Sequence, residues 1–225
     1  MADGLTRRVA TALASAVSTG LSCWLLARAV GMASSQHAPM WVLARAAGIT
    51  TYVLVVLLVA AGILLAHPAS SSVRRPRPAT RLRLHVFLAV LTAGFLALHV
   101  VVLATDRWAH VGWRGVVVPM ASTYRPVPVT LGVIGMYAGL LAGITAGFAG
   151  RVAGRLWWPL HRIAAATFVL AWAHGLLAGS DAGALRWLYA GTGAGLLALA
   201  ASRYLWPRMA VAPENAERRV ARQVP

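Results

Sequence analysis

Four histidines stand in two pairs within apolar sequence. His85 and His99 lie fourteen residues apart in RLRLHVFLAVLTAGFLALHVVVLA (81–104), and His161 and His174 lie thirteen apart in RLWWPLHRIAAATFVLAWAHGLLAGSD (155–181). Imidazole is a common metal ligand through either ring nitrogen, and an ionisable side chain within a membrane-spanning segment is a functional hypothesis by default. On two parallel helices, the first histidine of each segment falls at one level and the second at another. At ~1.5 Å rise per residue the levels are roughly 20 Å apart along each helix. The pairs His85–His161 and His99–His174 would each supply both axial nitrogens of a haem b. Two such haems, stacked across a bilayer, form an electron path.

Helical geometry constrains this pairing. At ~100° per residue, fourteen residues return to within about 40° of the starting face, whereas thirteen miss it by about 140°. The segment with His161 and His174 must therefore bend or unwind locally, or its histidines must approach their haems from different directions. Depth matching carries the pairing. The plainer alternative is that the four rings only hydrogen-bond between helices. His37, His67 and His110 fall in loops, where histidine is usually solvated; His110 is a candidate for a role at the outer haem or at an electron acceptor.

Composition points to a polytopic membrane protein. Of 225 residues, 59% are hydrophobic and 12% charged, about half the charged share of an ordinary soluble domain, and mean hydropathy is +0.69. The net charge of +16 comes from 21 arginines and no lysine. The arginines cluster between apolar runs, so positive-inside topology accounts for them and nucleic acid is not the expected partner. The single cysteine, Cys23, allows no internal disulfide and no CxxC metal site. The carboxylates are only Asp3, Asp106, Asp181, Glu214 and Glu217, which leaves histidine as the ligand for any metal.

Six apolar segments are expected to span: about 9–27, 47–66, 82–104, 128–149, 157–178 and 186–206, followed by an Arg-rich tail, 207–225, expected to be disordered. The first could also be a signal peptide ending near Ala33, but its length favours a retained helix. The loop from His67 to Arg83 holds five arginines with Pro68, Pro76 and Pro78. The long connection 105–127, with Trp108, Trp113 and Tyr124, suits an interfacial cap. Glycines 135, 139, 143 and 147 line one face of the fourth segment. Such a strip serves close helix packing or lies beneath a flat macrocycle. Fifteen arginines fall on one side of this topology and six on the other, which places both termini in the cytoplasm of a multi-pass plasma-membrane protein. The fold class is thus an all-α six-helix bundle, N-in and C-in, over residues 1–206.

These residues resemble the ferric reductase-like transmembrane family, which includes NADPH oxidases, ferric reductases and the haem subunit of methionine sulfoxide reductase. The resemblance covers about residues 45–206. It rests on the histidine spacing at 85–99, on LWWPLHR through AHGLLAGSD at 156–181, and on GVIGMYAGLLAGITAG in the fourth segment. It implies electron flow from a cytoplasmic donor through an inner and an outer haem b to an extracytoplasmic acceptor. Large family members carry FAD and NADPH domains, whereas this sequence stops 19 residues past the last expected helix and has no dinucleotide fingerprint. A flavoprotein partner or a membrane quinol is therefore the expected donor, and FAD enters only through such a partner. Arg81, Arg83, Arg155 and Arg162 are candidates for pairing with haem propionates; Arg107, Arg114 and Arg125 are candidates for the same outside, or for attracting an anionic ferric chelate. Two alternatives stay open: a quinol-fed haem subunit of an extracytoplasmic reductase, and a non-redox membrane protein.

Overall fold

The structure, a computed structural model, describes residues 38–71, 76–147 and 161–221. The expected segment 9–27, Cys23, His37, Arg155 and the Trp-rich approach to His161 lie outside the described residues. Every regular element described is helical: α1 (Ala38–Leu65), α2 (Pro78–Thr105), α3 (Gly112–Val117), α4 (Pro126–Gly147), α5 (Ala164–Ala178) and α6 (Arg186–Ala221), with a short 3-10 turn at Pro68–Ser71. Three are long and apolar enough to cross a membrane, over Pro39–Leu65, Pro78–Thr105 and Pro126–Gly147, and α5 is a shorter apolar helix.

Local sequence explains the boundaries. Proline opens both α2 and α4, where a missing N–H costs nothing because the first-turn donors have no partner within the helix. α1 begins nine residues before the expected start at 47, because Met40 to Ala47 is apolar apart from Arg45 and Met40, Leu43, Ala44 and Ala47 pack on α2. The expected end of the last helix, 206, is passed: helical backbone continues to Ala221 over most of the stretch read as a disordered tail. That stretch is rich in Ala, Glu and Arg, all strong helix formers. Between α2 and α4 the expected cap takes the form of the six-residue α3 and its flanking turns.

The helices pack as two antiparallel pairs, α1 with α2 and α4 with α5, and α1 also meets α5 and α6. Ala44, Ala47, Leu98 and Val102 are buried where α1 meets the outer half of α2, backed by Met40, Leu43, Phe95 and Leu103. Small residues on α1 permit that close approach. Tyr52 of α1 lies 4.9 Å from the Tyr189 ring of α6 and shares a hydrogen bond with Thr192. Large apolar side chains such as Leu57, Leu64, Phe87, Ile144, Val169 and Leu197 are exposed. An apolar outer surface of this extent belongs in lipid.

The glycine strip of α4 divides in two. A Cβ on Gly135 would stand 3.1 Å from Leu170 of α5, and one on Gly139 3.2 Å from Thr167, while nothing lies within 4 Å of Gly143 or Gly147 among the described residues. The outer half of the strip thus serves helix packing. Gly135→Leu is expected to cost about 1–3 kcal/mol through overpacking, whereas Gly143→Leu leaves stability near wild type. Thermal unfolding of the two variants in detergent measures the difference, and equal midpoints would contradict this packing.

Candidate functional site

The histidine-bearing helices α2 and α5 scarcely approach each other along their backbones; each packs against a partner, α1 or α4. Their histidines reach across the space between. His85 faces His161 with ring centroids 6.3 Å apart and planes at 72°, and His99 lies within electrostatic reach of His174. First meets first and second meets second, so α2 and α5 run parallel and the four histidines form two pairs, named inner and outer after the expected topology. The structure sets His85 beside His161 and His99 within electrostatic reach of His174.

Each outer imidazole is held from behind by a backbone carbonyl. His99 Nδ1 lies 2.8 Å from the Ala44 oxygen of α1, and His174 Nδ1 lies 2.8 Å from the Pro128 oxygen of α4. A carbonyl only accepts, so Nδ1 carries the proton in both rings and Nε2 of the neutral imidazole keeps its lone pair. In each case glycine occupies the position four residues after the accepting carbonyl. A Cβ on Gly48 would sit 2.8 Å from His99 Cε1, and one on Gly132 would sit 2.8 Å from His174 Nδ1. The helical carbonyl at position i already accepts the N–H at i+4. Its second lone pair becomes reachable when residue i+4 has no side chain in front of it.

The same seat recurs twice. Trp172 Nε1 donates to the Tyr189 carbonyl at 2.9 Å, and Gly193, four residues on, gives the indole room, with its Cβ position 3.3 Å from Nε1. His85 approaches the Leu58 carbonyl over Gly62, whose Cβ position is 3.2 Å from His85 Cε1, but no hydrogen bond closes at its buried Nδ1. Trp172 shows that the seat by itself satisfies an intramembrane N–H. Histidine differs because it has a second nitrogen, left pointing away from the seat.

The fifth expected segment is interrupted just after His161. His161 is separated from α5 by a turn at Arg162–Ile163, where Ala165 N–H bonds Arg162 O at 3.1 Å and Ala166 N–H bonds Ile163 O at 2.9 Å. These i→i−3 bonds tighten the chain to ~120° per residue. Two or three such residues recover about 40–60° of the ~140° offset that a straight α-helix would impose.

The inner pair can be tested against metal geometry. Two metal–imidazole bonds of ~2.0–2.1 Å, plus about 1.1 Å from nitrogen to ring centre on each side, give roughly 6.3 Å between centroids in a linear arrangement. The observed separation is 6.3 Å. Among the described residues no three His, Cys, Asp or Glu converge. Two-ligand sites suit a metal whose remaining positions are filled by a macrocycle, and haem takes two axial ligands from protein. The separation of His85 and His161 is compatible with such a group.

The outer end is tied by polar contacts absent from the expectation. Arg45 grips Asp181 with both Nε, at 2.7 Å, and its terminal nitrogen. Arg45 adjoins the Ala44 seat and Asp181 closes the loop after α5, so this pair spans the outer level. Tyr124 donates to Ala178 O at 3.2 Å and Arg125 to Leu177 O at 2.7 Å, satisfying carbonyls at the α5 C-terminus. Arg125 is thus committed to the helix end. His110, Met120 and Arg125 all adopt positive φ, at 51°, 63° and 40°, so the connection is a bent, specific cap. His110 lines an open cavity with Trp41, Trp108, Thr123 and Tyr124. His67 is a structural residue: its Nδ1 accepts Ala69 N–H at 3.1 Å.

Sequence reading missed the glycine seats and the Arg45–Asp181 clamp. The seats did leave a trace: Gly48 and Gly62 are fourteen apart on α1, the spacing of His85 and His99 on the antiparallel α2. Comparison of this chain with protein-family models, curated proteins and solved structures finds no match.

Both partners of the clamp are partly exposed, at 39% and 28%, so solvent screening limits its contribution. Arg45→Ala and Asp181→Ala are each expected to lower stability by about 1 kcal/mol, and the double variant by little more than either single one. A double-mutant cycle on the thermal midpoint measures this; strict additivity would show that the contact contributes nothing.

Proposed function

We propose that this chain is a transmembrane haem b electron-transfer protein of ferric-reductase type. The reading rests on one observation: parallel helices that barely touch carry two histidine pairs, the inner with ring centroids 6.3 Å apart and the outer with each Nδ1 tied to a carbonyl, which leaves the Nε2 lone pair for a metal. Hydrogen bonding through Nδ1 explains the seats but leaves the second nitrogen of each outer ring, within apolar surroundings, without a purpose.

In this reading His85 and His161 hold the inner haem, and His99 and His174 the outer. Haem, when bound, supplies a reversible one-electron ferric–ferrous couple. The protein's part is to fix the four imidazoles, to exclude water with apolar helices, and to hold the two levels roughly 20 Å apart along α2. Six spans with both termini in the cytoplasm, in the plasma membrane, follow from the arginine distribution. Electrons enter from a flavoprotein partner or a membrane quinol and leave to an extracytoplasmic acceptor. The bent outer cap, with its aromatic-lined cavity beside His110, lies at the exit end.

The deciding measurement is a reduced-minus-oxidised visible spectrum of the purified chain with haem quantified. The expected result is two low-spin haems b per chain, with His99→Ala or His174→Ala losing the outer and retaining inner haem. A colourless protein after haem supplementation would sink the proposal. For topology, Ser180→Cys in a Cys23→Ser background is expected to react with a membrane-impermeant maleimide added outside intact cells, and Thr80→Cys only after lysis. The reverse pattern would invert the orientation.

A further inference from the structure

The outer pair differs from the inner in what stands behind its ligands. Both outer rings close a 2.8 Å bond from Nδ1 to a carbonyl, whereas His85, over an equivalent glycine, only approaches the Leu58 carbonyl and its Nδ1 reaches no good hydrogen-bond geometry. A hydrogen bond from the far nitrogen of a ligating imidazole fixes its tautomer and raises its basicity. Greater electron donation favours the ferric over the ferrous state, so such bonds lower a haem's reduction potential; second-shell hydrogen bonding is one of the protein's principal controls on it.

We propose, building on the haem reading, that Gly48 and Gly132 are positioning residues that set the potential of the outer haem. Neither touches the metal. Each leaves the lone pair of the carbonyl one turn earlier open to its histidine, and so determines how strongly that histidine donates. Burial acts in the opposite sense, since a low-dielectric site disfavours the extra positive charge of ferric haem. The order of the two haems in potential therefore reflects both effects. The effect of the seat is isolated by altering the seat at one level and leaving the other as an internal reference.

A methyl group at either position must move the ring, because the new Cβ would stand 2.8 Å from a histidine atom. Swinging the ring away lengthens or breaks the Nδ1 bond while leaving the histidine in place. At Gly62 the same change meets His85 at 3.2 Å and disturbs only the looser approach to the Leu58 carbonyl. The three glycines therefore form a graded series with a built-in control.

The test is a spectroelectrochemical titration of the full-length, haem-loaded chain, with the outer component assigned through its loss in His99→Ala. Gly48→Ala and Gly132→Ala are expected to shift the outer equilibrium toward ferrous haem by about tenfold, or ~59 mV upward for one electron, with the inner midpoint unchanged. Gly62→Ala is expected to move the inner midpoint by much less. Outer midpoints that match wild type in both glycine variants would overturn the proposal. Should the alanine variants lose the outer haem, His99→Gly supplied with free ligands takes their place. Imidazole can donate to the Ala44 carbonyl and 1-methylimidazole cannot, so the outer midpoint is expected to be higher with the methylated ligand by more than the two ligands differ on free haem. No excess difference would overturn the proposal equally. A wild-type chain without haem would remove the underlying reading itself, an outcome visible before any titration.

Discussion

The arrangement depends on a single constraint: in an apolar medium every N–H needs an acceptor, and the nearest acceptors are carbonyls already engaged within helices. A helical carbonyl has a second lone pair, usually screened by the side chain one turn ahead. Where that side chain is a hydrogen atom, a donor from the next helix can reach it. Four such places occur here, at Gly48, Gly62, Gly132 and Gly193, facing His99, His85, His174 and Trp172. Glycine, weak as a helix former, is used for the access it gives to backbone.

Two antiparallel pairs follow from this constraint. α1 supplies the seats for α2, and α4 the seat for the outer histidine of α5, so each histidine-bearing helix is oriented by a neighbour and not by its opposite number. That leaves α2 and α5 near each other but not packed. The Arg45–Asp181 clamp then joins the pairs at the outer end, while the Tyr124 and Arg125 contacts close the α4–α5 pair there, where polar side chains find unsatisfied carbonyls.

Much of this was legible in the chain. Apolar runs located every described long helix, and two of these begin a few residues before the expected starts at 82 and 128, at Pro78 and Pro126. Depth put His85 with His161, which stand side by side, and the thirteen-residue spacing asked for a bend, an unwinding or different directions of approach, where the structure has a turn at Arg162–Ile163. The helix that runs to Ala221 was missed because charge and proline outweighed helix propensity in the reading. The clamp was illegible because its partners stand 136 residues apart, and nothing local to Arg45 selects Asp181 over Asp106. The glycine seats were hidden for another reason. Their meaning lies in a carbonyl four residues back, and a sequence records side chains, not the backbone they uncover.

The division into pairs bears on the order of assembly. His99 acquires its seat within the first helix pair and His174 within the second, across 55 and 46 residues against 136 for the clamp, so each half can orient its outer ligand before the halves meet. Such local closure is fast and entropically cheap. What remains for the late, long-range step is to bring two preset surfaces together, with the Arg45–Asp181 contact forming only after the loop beyond α5 has been made. On the haem reading, the cofactor would enter at that step as the joint between prefabricated halves, and a chain starved of it would be held in two loosely associated hairpins.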